Sequence, residues 1–219
     1  MTGKETGLQS KKRQAIIDAC RRMNALGINQ GTSGNISVRH ADGLLITPTS
    51  VPYELMTPEQ IVFMDMNGAF ADGARPSSEW RFHLDILRAR PEVDAVVHAH
   101  PTYCTILAIM GLEIPPIHYM IAIAGGPSIR CAPYATYGTP ELSVHAVTAL
   151  ESRFACLLAH HGMIALGPSL AKALRLAVEV ETLARQYHGC LQIGKPPLLS
   201  WDEIERVRVK MADYGVNDA

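Results

Sequence analysis

The chain has 219 residues, of which 47% are hydrophobic and 19% charged, and its formal net charge is −1. That length supports one sizeable core, and the apolar content excludes a disordered chain. A charge near zero with no basic run argues against nucleic acid as a partner, and no apolar run of about 18 residues is present to span a membrane.

The opening residues, MTGKETGLQSKKRQ, are polar and lack the apolar centre of a signal peptide. Five cysteines stand at 20, 104, 131, 156 and 190, an odd number with no C-x-x-C pair. Such residues read as small buried hydrophobes in a reducing compartment, so a cytoplasmic protein is expected. No repeat, low-complexity tract or linker interrupts the chain, which points to a single domain over residues 1–219.

Residues 10 to 26 carry apolar side chains at Ile16, Ala19, Cys20, Met23 and Leu26. This spacing predicts an amphipathic helix stopped by Gly27. NISVRHADGLLITP reads as a hairpin turning at Asp42-Gly43, and IVFMDMNGAF as a second around Asn67-Gly68. A helix follows from Ser77 or Ser78 to about Arg90, closed by Pro91. The strand in AVVHAHP comes next, then a short helix from Pro101 to Met110.

In TPELSVHAVTALE, Thr139 is an N-cap and Pro140 takes the first helical position. ACLLAHHGMIAL reads as apolar β structure interrupted at His160-His161-Gly162. A long helix spans Ser169 to Ile193, and the last one opens with the capping box Ser200-Trp201-Asp202-Glu203. Hairpins in the first half argue against a purely parallel, dinucleotide-binding sheet. The expectation is an α/β fold with a mostly antiparallel sheet covered by helices.

Alternation along a strand turns His98 and His100 to one side, about 7 Å apart at the backbone, where two imidazoles can share a metal ion. A zinc site needs a third and usually a fourth ligand. LLAHHGMIA offers His160 and His161, and periodicity does not distinguish them. Glu79 is a further candidate, although a first-turn glutamate alone reads as a partner of the helix dipole. Glu79 and His83, four apart, form either a surface pair or a helical metal site, with no H-E-x-x-H context. GTSGN, TPTS and PSSE are rich in glycine and hydroxyls. Together they offer neutral donors and a helix N-terminus to a phosphate, without the lysine of a nucleotide loop.

In their order, GTSGNISVR, LLITPTSVPYE, PSSEWRFH, AVVHAHP, IPPIHYMIAIAGG, APYATYGT, AHHGMIA and the terminal YG resemble the class II aldolase/adducin family, above all its members that cleave L-fuculose 1-phosphate. The resemblance covers nearly the whole chain. It implies a three-layer α/β/α fold and a cyclic homotetramer with active sites at subunit interfaces. It places zinc, or another divalent ion such as Mn2+ or Co2+, on Glu79, His98, His100 and His161. The phosphate positions fall on Thr32, Gly34, Asn35, Thr49, Ser50, Ser77 and Ser78. A catalytic tyrosine matches Tyr119, which reaches a neighbouring subunit, while Tyr137 and Tyr214 shape the aldehyde side.

Two departures stand out. Ser50 replaces the glycine of TPTG, which requires the serine to adopt that glycine's backbone angles. Tyr137 replaces the phenylalanine of ATFG and adds a hydroxyl. The implied activity is reversible cleavage of a ketose 1-phosphate to dihydroxyacetone phosphate and an aldehyde. The substrate is L-fuculose 1-phosphate, or a 5-deoxyribulose or 5-methylthioribulose 1-phosphate in nucleoside by-product salvage. Glu79 and Tyr119 are the proton-handling residues in this scheme. Two alternatives stay open: a pentulose-phosphate 4-epimerase or methylthioribulose-1-phosphate dehydratase, and a non-catalytic module like the adducin head.

Overall fold

The computed structural model describes residues 3–212, so Tyr214 lies outside the described residues. Seven strands form one sheet: β1 (Asn35–His40), β2 (Gly43–Ile46), β3 (Val62–Asp65), β4 (Ala95–Ala99), β5 (Arg130–Ala132), β6 (Ala155–Leu158) and β7 (Gly162–Gly167). Their spatial order is β3-β2-β1-β4-β7-β6-β5. Every pairing is antiparallel except that of β5 with β6. The expected α/β class with a mostly antiparallel central sheet is what the chain forms.

Six helices cover the sheet: α1 (Gly3–Ala25), α2 (Trp80–Ala89), α3 (Thr102–Ile109), α4 (Pro140–Ala149), α5 (Leu170–Ile193) and α6 (Trp201–Ala212). Strand alternation sorts them into two layers. Ile36, Val38, Leu45, Val97, Leu157 and Ala165 pack with Ile16 and Cys20 of α1, Leu107 of α3, Val180 of α5 and Ile204 of α6. Leu44, Ile46, Val96, Cys156, Ile164 and Leu166 pack with Phe82 and Leu87 of α2 and Leu142 of α4. The three-layer arrangement follows. Among the described residues, no helix is long and apolar enough to cross a membrane.

The caps hold where hydroxyls were read as caps. Thr139 accepts from the Leu142 amide, and Ser169 from that of Lys172. Ser200 accepts from the Glu203 amide at 3.2 Å, while the Glu203 carboxylate pairs with Arg206.

Two local readings are corrected. The first hairpin turns at Ala41-Asp42, because Gly43 already pairs with His40. A side chain at Gly43 would meet the Met64 carbonyl at 2.1 Å, so this glycine serves close strand packing, and Ala41 takes the positive φ of 50°. The second hairpin shrinks to β3 and a single Met64–Phe70 bridge, although its turn is where expected: Asp65 accepts from the Asn67 and Ala69 amides. The 119–124 stretch, quoted only as a family motif, is a 3-10 helix.

Candidate metal centre and its cavity

The ends of several elements meet at one end of the sheet's inner strands β4 and β7. On β4, Val96 and His98 face α2, whereas Val97 and Ala99 face the opposite layer. His98 is fully buried, with the edge of its ring against Phe82 of α2 at 5.3 Å between centroids. His100 lies one residue beyond the end of β4 and not within it. Extended backbone still carries its ring to the same side, and the two Nε2 atoms stand 2.8 Å apart.

The β6–β7 turn decides between the neighbouring histidines. Leu158 pairs with Gly162, leaving Ala159, His160 and His161 to reverse the chain. His160 takes the left-handed conformation, with φ of 55°, and points to solvent beside Tyr134. His161 turns inward. The rings of His98, His100 and His161 then lie pairwise at 4.8 Å, each pair edge-on. Gly162 makes this approach possible, since a Cβ there would stand 2.5 Å from the Ala99 carbonyl and 2.9 Å from the His100 ring.

Glu79 is the N-cap of α2, not a first-turn residue, so its backbone leaves the helix just where the side chain must reach the histidines. Its Oε2 is 3.2 Å from Nε2 of His98 and its Oε1 is 3.2 Å from Nε2 of His161. Oε1 is buried yet has no satisfactory hydrogen bond. Burial alone would raise the Glu79 pKa, but with protons on His98 and His161 their attraction prevails and holds the carboxyl well below the usual range. Burial, with His98 and His161 adding to it, pushes the His100 pKa down to about 3. The Met163 carbonyl lies 2.9 Å from Nδ1 of His98 and only accepts, so Nδ1 carries the proton and Nε2 presents its lone pair inward.

This donor set fits a divalent cation. Four ligand atoms, three imidazole nitrogens and a carboxylate oxygen, all lie within 4.8 Å of one another. Tetrahedral ligation at about 2.0–2.1 Å separates ligand atoms by roughly 3.3 Å, and Glu79 stands 3.2 Å from both His98 and His161. Lone pairs crowded together, with a buried carboxylate oxygen lacking a donor, are relieved by a cation among them.

Above the cluster opens a cavity of about 370 Å³, lined by Thr32, Gly34, Asn35, Thr49, Ser50, Ser77 and Ser78 together with Glu79, His100 and His161. All seven residues read as phosphate positions therefore line one cavity. The loops are tied to each other: Ser77 N–H donates to the Thr47 carbonyl, and Thr49 N–H to that of Arg75. Buried Tyr53 donates to the Gly34 carbonyl at 2.5 Å, fixing the glycine loop from below. Ser50 adopts φ of 58°, so the serine does take up the backbone a glycine would favour. Among the described residues, no lysine or arginine lines this cavity. The donors on offer are hydroxyls, N–H groups and the start of α2.

Tyr137 also lines the cavity, where Gly138 packs against the Ser78 carbonyl. Tyr119 does not: it heads the 3-10 helix, half exposed, against the His118 ring. Four lining residues were not singled out from the sequence, namely Ser33, Pro48, Tyr134 and Ala135, and His160, read as an alternative to His161, lines the cavity without joining the ligand group. Tyr134 shares the APYATYGT stretch with Tyr137, and that three-residue spacing was the available signal. His83 is fully buried and faces Asn35 and Ser37, which makes it neither a surface partner of Glu79 nor a member of the ligand group.

Comparison with known proteins adds to this geometry. Residues 14–188 match the family model described as Class II Aldolase and Adducin N-terminal domain. A 5-methylthioribulose-1-phosphate/5-deoxyribulose-1-phosphate aldolase of Rhodospirillum rubrum is 56% identical over 94% of this chain and 93% of its own. An L-fuculose phosphate aldolase of Escherichia coli is 54% identical over 95% of this chain and 97% of its own. Among solved structures, an L-fuculose 1-phosphate aldolase superposes with a TM-score of 0.90 at 39% identity, covering 93% of this chain and 97% of the other.

Proposed function

The chain belongs to the class II aldolase and adducin family and is an aldolase, and from that premise we propose that it cleaves a ketose 1-phosphate to dihydroxyacetone phosphate and an aldehyde. The observation that carries this reading is the ring of three imidazoles and Glu79 beneath a wall of neutral phosphate donors. His98, His100, His161 and Glu79 hold the cation, Zn2+ or a similar divalent ion, which when bound supplies Lewis acidity toward the ketose oxygens.

The remaining steps belong to the chain. Thr32, Gly34, Asn35, Thr49, Ser50, Ser77 and Ser78 grip the phosphate and so orient the bond that breaks. In cleavage, the electron pair of the carbon 3–carbon 4 bond moves toward the carbonyl, and a proton must leave the carbon 4 hydroxyl as another reaches carbon 3. Glu79 stands beside the histidines to hold and deliver the carbon 3 proton. Tyr119 takes the hydroxyl proton in a neighbouring copy, which accords with its exposure and with its not lining its own chain's cavity. A homotetramer of single-domain subunits working in the cytoplasm completes the proposal.

The relatives named above act on fuculose 1-phosphate or on 5-deoxy- and 5-methylthioribulose 1-phosphates. These ketoses share a phosphate at one end and an apolar methyl or methylthio group at the other. Tyr134, Ala135 and Tyr137 give the cavity a rim suited to that apolar end, with the Tyr137 and Tyr134 hydroxyls as its polar points. Methylthioadenosine salvage and fuculose breakdown are the two settings this supports.

Turnover of the three ketose 1-phosphates, with product analysis, tests the reading. Free dihydroxyacetone phosphate supports cleavage. A new ketose phosphate without it points to an epimerase, a dehydrated sugar phosphate to a dehydratase, and no turnover with any of them to a non-catalytic module.

A further inference from the structure

Behind Glu79 a buried run of polar side chains leads from Asn35, which also lines the cavity, to His83 and Ser37, which do not. Asn35 Nδ2 donates to Glu79 Oε2 at 2.9 Å. Asn35 Oδ1 lies 2.5 Å from Nε2 of His83, and Nδ1 of His83 lies 2.8 Å from the Ser37 hydroxyl. Asn35 is 5% exposed, and Ser37 and His83 are 0% exposed. Phe82 stacks on the His83 ring at 4.7 Å, and the same Phe82 meets His98 edge-on.

The proton positions along this chain are forced. An ionised carboxylate only accepts, so Asn35 must turn its NH2 toward Glu79 and its carbonyl oxygen toward His83. That oxygen also only accepts, so His83 carries its proton on Nε2. Nδ1 is then an acceptor, and the Ser37 hydroxyl donates to it. Reversing any member sets two acceptors face to face in a buried site, an arrangement that costs about 1–3 kcal/mol per unsatisfied group.

We infer that His83 is a positioning residue for the metal centre: held in one tautomer by Ser37, it fixes the sense of the Asn35 amide and thereby the orientation of the Glu79 carboxylate. Its place explains why a histidine stands in the middle of an apolar helix face where a leucine would pack. His83 touches no cavity atom, so it acts only through Asn35 and Glu79. The inference rests on the reading of Glu79 as a ligand and proton carrier.

The test compares His83→Leu, His83→Gln and Ser37→Ala with the wild-type chain in two readouts: Zn2+ affinity by competition with a chelating dye, and kcat and KM for ketose 1-phosphate cleavage. Removal of an outer partner of a ligand costs about 10–100-fold in metal affinity or activity. His83→Leu is expected to lose about tenfold or more in both Zn2+ affinity and kcat, with KM within about threefold. His83→Gln presents an N–H near the position of Nε2 and restores both to within about threefold of wild type. Unchanged Zn2+ affinity in a folded His83→Leu, or a His83→Gln as impaired as His83→Leu, would make His83 a mere core side chain and overturn the inference. If His83→Leu does not fold, Ser37→Ala decides, with Zn2+ binding weakened in the folded protein as the supporting result and wild-type affinity as the contrary one. A wild-type chain that takes up no Zn2+ would sink the metal reading itself, a failure separate from these.

Discussion

Glu79 Oε2 stands 3.2 Å from Nε2 of His98, with the carboxylate 5% exposed and the imidazole 0% exposed. An anion so withdrawn from water persists only because its neighbours reward the charge. Protons on His98 and His161, or a cation seated among the ligand atoms, supply the attraction that overcomes burial, and Asn35 adds a hydrogen bond. The same residue that completes the donor set is thus kept ionised and aimed.

Glu79→Gln tests that assignment. The amide keeps the shape of the side chain and loses its charge and proton-carrying ability. Cleavage turnover is expected to fall by about 10²–10⁴-fold, the range general acid–base groups contribute. Competition by inorganic phosphate against substrate should change little, because the phosphate wall does not need the carboxylate. Turnover near that of wild type would remove Glu79 from the mechanism.

Gly162→Ala addresses the geometry of the ring cluster. The added methyl would lie 2.5 Å from the Ala99 carbonyl and 2.9 Å from Cδ2 of His100. Backbone cannot yield cheaply there, since Met163 pairs with Ala99 in the β4–β7 ladder, so the His100 ring must shift. The expected result is a Zn2+ affinity lower by about tenfold or more, as loosened ligands give. Titration with the ion and a competing chelator measures it, and unchanged affinity would show that the His100 position is not essential.

The buried His83 makes a prediction about acid. Burial, with His98 adding to it, pushes its pKa from 6.5 down to about 3. Between those values the unfolded chain binds a proton at residue 83 and the folded one does not, so stability is full above about pH 6.5 and falls as pH drops toward 3. From about pH 7 to about pH 5 this group's share of the loss is roughly 2 kcal/mol. His83→Gln has no such proton to gain, so its urea midpoint should decline less over that interval. Equal declines in the two proteins would show that His83 is not held neutral.

Much of this was legible in the residues, for identifiable reasons. The period of two along AVVHAHP placed His98 and His100 on one side, because extended backbone continues past the end of β4. Hydroxyls before Leu142, Lys172 and Glu203 acted as caps, since capping is a local contact between near neighbours. His161 could not be separated from His160 by pattern, as the choice rests on one left-handed residue in a tight turn. The Ala41-Asp42 turn was missed because the glycine in Asp42-Gly43 is required by a neighbouring strand, a contact between residues far apart in sequence. His83 read as a surface or ligand residue for the same reason. Its partners Ser37 and Asn35 lie on β1, more than forty residues away.

The ion itself provides the most direct measurement. Metal content of protein purified without added metal, followed by cleavage activity as a chelator removes it, links occupancy to turnover in one titration. The account predicts one divalent ion per chain, held by His98, His100, His161 and Glu79, with activity lost in proportion to the metal removed and recovered on adding Zn2+. A metal-free preparation that cleaves ketose 1-phosphate at the full rate would contradict it.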